Sequence, residues 1–70
     1  MLGITRSMTF LRLKHVIRDT GLSKTEIYRR IREGRFPQPR KYADAPNKSF
    51  WLDAEVKSWQ TEQLFKDLFG

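Results

Sequence analysis

The 70-residue sequence predicts one mainly α-helical domain with a small β-hairpin, arranged as a winged helix-turn-helix. Three observations predict it. Two short amphipathic segments are joined by the turn Thr20-Gly21-Leu22-Ser23. A basic, proline-broken stretch then leads into the aromatic, strand-like segment Ser49-Phe50-Trp51-Leu52. A third amphipathic segment opens at Asp53.

Residues 1–9 read as a flexible arm, because Gly3, Thr5, Arg6 and Ser7 offer little to bury, and residues 10–70 form the domain. After a short alternation at Phe10-Leu11-Arg12, the period changes. Leu13, Val16 and Ile17 stand at i, i+3 and i+4, one helical face. This predicts a helix from about Lys14 to Thr20, closed by Gly21 in the left-handed conformation.

Ser23 and Glu26 have capping-box spacing. The hydroxyl can accept the Glu26 N–H while the carboxylate reaches back to the Ser23 N–H. Leu22 precedes the cap and can staple to Ile27. The second helix should run to about Glu33 and end at Gly34, with Ile27 and Ile31 as its buried stripe. Two short helices across a glycine-containing turn make a helix-turn-helix, with an unrelated helical hairpin as the alternative.

Pro37 and Pro39 end helical structure and force an extended path through Arg40-Lys41-Tyr42. A turn cluster then puts the hairpin tip at Asp44–Lys48. Asp53 caps the third helix, Glu55 favours its positive end, and Val56 and Trp59 return to the core. Trp51 and Trp59 read as core rather than as stacking platforms. The helix continues to about Leu68. Its second apolar cluster, Leu64, Phe65, Leu68 and Phe69, is rotated off the core face. Either the helix bends and the cluster packs back, or it meets another chain. It is a candidate self-association surface.

Composition favours binding over chemistry. There is no cysteine and one histidine, His15. Disulfides, zinc knuckles and thiol catalysis are excluded, and a reducing cytoplasm suits such a chain. No nucleophile motif, phosphate loop or ligand cluster is present. No enzyme activity, cofactor or metal is expected. No apolar run approaches the roughly 18 residues of a membrane span, and Met1–Phe10 does not read as a secretory signal.

The 14 Lys and Arg against 8 Asp and Glu give a net charge of +6. Residues 1–50 hold twelve of those bases against four acids, and residues 51–70 hold two bases against four acids. A basic body with a mildly acidic end calls for a polyanion, nucleic acid first and an anionic membrane surface second. The end of the third helix lacks the basic flanks of a membrane-surface helix.

The second helix carries the candidate contacts. On a wheel with Lys24 at zero, Ile27 and Ile31 fall at about 300° and 340°. Tyr28, Arg32, Thr25 and Arg29 follow at about 40°, 80°, 100° and 140°. Arginine can read guanine bidentately, and Thr and Tyr can touch a thymine methyl or a phosphate. Lys24 at the helix N-terminus can hold a phosphate. Tyr28 lies nearest the apolar stripe and suits a half-buried position equally. Arg30, at about 240°, is expected in solvent or paired with Glu26. In the wing, Arg40, Lys41 and Lys48 can grip backbone phosphates.

These residues also resemble a known family. Leu11–Val16, Thr20-Gly21-Leu22-Ser23 with Ile27-Tyr28, Gly34-Arg35-Phe36-Pro37-Gln38-Pro39, and Trp51-Leu52 with Glu55-Val56 and Trp59 are similar to the AlpA-type prophage regulators. The resemblance covers about residues 10–60 and leaves the chain after about Gln60 without a counterpart. It implies a MerR-like winged helix-turn-helix, related to the small phage excisionases. The protein would bind double-stranded DNA of a prophage or genomic island, at an attachment site or a promoter. It would regulate transcription, or act as a recombination directionality factor with an integrase and with other copies of itself. The implied DNA contacts are Lys24, Thr25, Tyr28, Arg29 and Arg32, with Arg40, Lys41 and Lys48 in the wing. The implied location is the cytoplasm, at the nucleoid. The competing class is a protein-interaction module, an anti-repressor or integrase-binding factor with only non-specific DNA affinity. RNA binding is a third class, disfavoured because few exposed aromatics are available for stacking.

Overall fold

The computed structural model describes residues 9–69. The arm expected at residues 1–9 therefore lies outside the described residues, apart from Thr9. The elements are β1 (Phe10–Leu11), α1 (Leu13–Thr20), α2 (Lys24–Arg32), β2 (Arg40–Tyr42), β3 (Ala45–Leu52) and α3 (Asp53–Phe69). The fold is a winged helix-turn-helix: α1 and α2 form the helical pair, and β2 and β3 form the wing.

Local signals set the helical pair. Gly21 takes φ +74°, and its N–H donates to the Ile17 carbonyl at 2.9 Å. The Thr20 hydroxyl donates to the Val16 carbonyl at 2.7 Å and accepts the Leu22 N–H at 3.2 Å, which fixes the turn. The capping box forms as its spacing requires. The Glu26 N–H donates to Ser23 Oγ at 3.2 Å, and the Ser23 N–H donates to Glu26 Oε1 at 2.9 Å. At the far end, Gly34 takes φ +72°. Its N–H donates to the Ile31 carbonyl, and that of Arg35 donates to the Arg30 carbonyl. Those two bonds are a Schellman closure, which satisfies carbonyls the helix would otherwise leave open.

Ser23→Ala should destabilise the domain by about 1 kcal/mol, read as a lower urea midpoint. The cap also carries a pH dependence. The hydrogen bonds from Ser23 hold the Glu26 carboxyl below its ordinary range. A carboxylate depressed on folding stabilises the native state above its unfolded pKa. That contribution disappears as pH falls through the lowered value. Glu26→Gln should therefore flatten the acid limb of a stability–pH curve.

The wing differs from expectation in two places. First, the sheet has three strands in the order β1-β3-β2. Phe10 pairs with Leu52 and Leu11 with Trp51, so the chain just before α1 forms an edge strand. The backbone N–H of Thr9 donates to Asp53 Oδ1 at 3.2 Å, and the Asp53 N–H donates to the Thr9 carbonyl at 3.0 Å. Second, the tip is the turn at Ala43-Asp44 rather than an Asp44–Lys48 loop. The register jumps from Lys41↔Ser49 to Tyr42↔Ala45, leaving Pro46, Asn47 and Lys48 as a bulge within β3. Pro46 has no N–H to give a ladder, so the irregularity falls where pairing is already broken.

The sheet is amphipathic. Its inner face gives Leu11 and Trp51 to a core completed by Val16, Ile27, Phe36 and Val56. Its outer face stacks Phe10 on Phe50, with ring centroids 4.0 Å apart, and Tyr42 against Phe50 at 4.6 Å. Both indoles hold the proline-rich connection, where backbone carbonyls lack ladder partners. Trp51 Nε1 donates to the Pro37 carbonyl at 3.0 Å, and Trp59 Nε1 to the Arg35 carbonyl at 2.8 Å. Trp51 is fully buried, as expected, while Trp59 is half-buried.

Asp53 opens α3, its Oδ1 accepting the Ala54 N–H at 2.9 Å. Val56 is buried, and the Gln60 amide donates to the Asp19 carbonyl, fastening α3 to the end of α1. From residue 61 to Phe69 every position is exposed. The helix stays continuous, so the apolar cluster does not fold back. Leu64, Phe65, Leu68 and Phe69 keep 61–74% of their surface in solvent.

Candidate nucleic-acid interface

α2 is anchored through Ile27, which is fully buried, and through half-buried Ile31. That anchorage decides which residues face outward. Lys24, Thr25, Arg29 and Arg32 are all exposed. Tyr28 is half-buried, its ring 6.5 Å from that of Trp51, so it belongs partly to the core.

Ion pairing sharpens the picture. Among the described residues three pairs form: Arg18 with Asp19, Arg35 with Glu33, and Arg40 with Glu55. Lys24, Arg29, Arg32, Lys41 and Lys48 have no such partner among the described residues. Their charge is presented to solvent, where a polyanion can meet it. The Arg35 hydrogen bond holds the Glu33 carboxyl below its ordinary range and ties the end of α2 to the following loop.

The wing residues separate. Lys41 is exposed on β2, and Lys48 is exposed in the bulge. Arg40 is engaged elsewhere: its guanidinium donates to Glu55 Oε2 at 2.6 Å. That hydrogen bond raises the Arg40 pKa further. The arginine thus joins β2 to α3, although such an exposed pair adds little stability.

Sequence reasoning missed Arg12. With Tyr42, Asn47 and Lys48 it borders a concavity of about 520 Å³ beside the bulge. The signal lay in the alternation Leu11-Arg12-Leu13, which places Arg12 opposite its apolar neighbours. His15, without a chemical role in the sequence, has a structural one here. Its Nδ1 accepts the Arg12 N–H at 3.2 Å at the start of α1.

Arg30 is neither in open solvent nor paired with Glu26. Its guanidinium carbon lies 6.0 Å from the Trp59 ring centroid, and its Nε is buried without a hydrogen-bond partner. The reason is tertiary. α3 brings Trp59 over the end of α2, which a wheel of α2 alone cannot register. Arg30, Phe36, Gln38, Trp59 and Lys66 line a groove of about 1510 Å³ between that end, the proline-rich loop and α3.

Among the described residues no group of three His, Cys, Asp or Glu could hold a metal ion, and no helix is long and apolar enough to cross a membrane. No curated protein and no solved structure matches the chain. The sequence model of one family, described as Prophage CP4-57 regulatory protein (AlpA), matches residues 9–64. The match runs past Gln60 to Leu64, so Phe65, Leu68 and Phe69 stand beyond it. It covers β1, the helical pair, the wing and most of α3, and the chain belongs to this AlpA family of prophage regulatory proteins.

Proposed function

We propose that this chain is a sequence-specific double-stranded DNA-binding regulator of a prophage or genomic island. One observation carries the reading: the outward arc of α2 presents Lys24, Thr25, Arg29 and Arg32 exposed, its three cations without ion-pair partners among the described residues. An α-helix fits the major groove of B-form DNA, where base pairs are distinguishable by their donor and acceptor patterns. In this reading Thr25, Arg29 and Arg32 meet base edges and Lys24 meets a phosphate. Tyr28 contributes its exposed edge. Lys41 and Lys48, with Arg12, hold the backbone beside the groove. Arg40 supports the wing through Glu55 rather than reaching for DNA.

Contacts of these two kinds have different signatures. Lys41→Ala should weaken cognate and random duplexes about equally and lower the salt slope of binding by about 1. Fluorescence anisotropy across a salt series reads both.

Regulation of transcription and direction of recombination would use the same contacts. Gel shifts at about 150 mM salt, where non-specific attraction is partly screened, separate them. The duplexes are the element's attachment site, its integrase promoter and a random sequence. Selective retardation of the promoter supports a transcriptional regulator. Stepwise, selective retardation of the attachment site supports an excisionase acting with an integrase. Equal and weak retardation of all three overturns the proposal and favours a protein-interaction module.

A further inference from the structure

Glu26 caps α2 with one of its two oxygens. Its Oε1 accepts the Ser23 N–H at 2.9 Å. Its Oε2 accepts no hydrogen bond and is not a buried, unpartnered atom among the described residues, so it reaches solvent. Glu26 has no ion-pair partner among those residues either. Hydrogen bonds from Ser23, and then the charge of Arg29, hold its carboxyl below the ordinary range. The group is therefore ionised near neutral pH and acts as an acceptor only.

Its place on α2 is beside Arg29. On the wheel it falls at about 200°, with Arg29 at about 140° and Thr25 at about 100°. The three residues lie in the first two turns of α2, the part of a recognition helix that meets base edges.

We propose that Glu26 is a further base-reading residue: its Oε2 accepts the N4 amino group of a cytosine one base pair along from the guanine taken by Arg29. The inference rests on α2 entering the major groove of DNA. Chemistry selects the base. A carboxylate repels phosphates, so only amino groups on base edges offer it a bond, and in the major groove those are cytosine N4 and adenine N6. Adenine sets N7 beside N6, and N7 needs a donor that Glu26 lacks. Spacing selects the step. Three residues advance about 4.5 Å along a helix, close to the roughly 3.4 Å rise of one base pair. The bond from Ser23 already fixes the side chain, so little freedom is lost on contact. The same charge weakens binding wherever a phosphate, not a cytosine, lies beside it, so discrimination comes from attraction and repulsion together.

The test compares the whole chain with Glu26→Gln by selection from a randomised duplex pool. Glutamine keeps the capping box, because its Oε1 can accept the Ser23 N–H. Its amide nitrogen then stands where Oε2 stood and presents donors in place of an acceptor. The selected cytosine should give way to thymine, whose O4 accepts. Arg29→Ala marks the guanine, and that position should be unchanged in Glu26→Gln. Affinity for the wild-type site should fall roughly tenfold, while affinity for random duplexes rises about twofold. Ser23→Ala weakens the cap but keeps the carboxylate, and should select the wild-type sequence. Circular dichroism checks that Glu26→Gln is folded. If it is not, the wild type decides: replacing that cytosine by a pyrimidinone without the amino group should cost roughly tenfold in affinity. A wild type that selects no sequence overturns the sequence-specific DNA reading and this inference with it. A selected sequence that lacks the cytosine, or keeps it in folded Glu26→Gln, overturns the role of Glu26 alone. So does equal binding of the cytosine and pyrimidinone duplexes. A parallel loss on the wild-type site and on random duplexes would leave Glu26 a cap and nothing more.

Discussion

Trp51→Ala should leave the domain largely unfolded in water at 25 °C. Trp51 is 1% exposed and sits on the central strand, opposite Leu11 across the sheet. It ties three parts of the fold together. Its ring faces Tyr28 of α2, and its N–H holds the Pro37 carbonyl in the connection between helix and wing. Truncating a buried tryptophan to alanine costs about 3–5 kcal/mol. Leaving the partly buried Pro37 carbonyl without its donor adds to that cost. A core in a domain of this size rarely supplies more than about 3–5 kcal/mol in total. The loss therefore equals or exceeds what is available. Far-ultraviolet circular dichroism and urea titration read the result. Trp51→Phe keeps an aromatic ring but drops the donor, and should fall between the two. Trp59→Ala should cost less, because Trp59 is half-buried. A Trp51→Ala protein with the wild-type urea midpoint would show that the core is not where the structure puts it.

Arg29→Ala should reduce affinity for the cognate duplex by roughly 5- to 150-fold, corresponding to about 1–3 kcal/mol. Affinity for random DNA should fall far less. The base preference at the contacted position should relax. Arg29 is exposed and has no ion-pair partner among the described residues, so its truncation leaves the core untouched. The unfolding free energy from urea titration should therefore stay within about 0.5 kcal/mol of wild type. Stability and binding thus respond separately, which distinguishes this substitution from one that acts by unfolding. Anisotropy titrations on cognate and random duplexes measure the two affinities, and selection from a randomised duplex pool measures the preference. Equal losses on both duplexes would place Arg29 on the backbone and remove it from base readout.

The features legible in the sequence share one property: their causes lie within a few residues. Ser23 and Glu26 are three apart and cap α2 as their spacing requires. Gly21 and Gly34 take positive φ at the two helix ends, where the chain must reverse. The period of Leu13, Val16 and Ile17 marks the inner face of α1. The wheel of α2 separated Ile27 from Lys24, Thr25, Arg29 and Arg32 because one helix in isolation already has an inside and an outside. The motif Trp51-Leu52 with Val56 and Trp59 was legible as core for the same reason, since strand and helix periods each repeat over short distances.

What escaped the sequence depends on partners far along the chain. β1 is two residues long, and its partners Trp51 and Leu52 lie some forty residues away, so the brief alternation there is too short to announce a strand. The hairpin tip moved because β3 extends past Pro46 by bulging, and a bulge is decided by the strand opposite. By sequence Arg40 is a cation able to grip backbone phosphates, but Glu55 arrives beside it from α3. From α2 alone Arg30 is expected in solvent or paired with Glu26, but Trp59 covers it from the same third helix. Arg12 joins Lys48 and Asn47 only once the sheet is assembled.

The sequence by itself thus determined the helical pair, the presence of a wing, the outward cations of α2 and the family. Hydrogen bonds and periodicities local to the chain carry that information. The tertiary structure alone decided which cations remain unpaired, where the wing turns and what the end of α3 does. Ion pairing and burial depend on distances between segments remote in sequence, and α3 is the segment that sets most of those distances. It supplies Glu55 to Arg40 and Trp59 to Arg30, then runs on past the core with Leu64, Phe65, Leu68 and Phe69 in solvent, because no other element among the described residues is positioned to cover them.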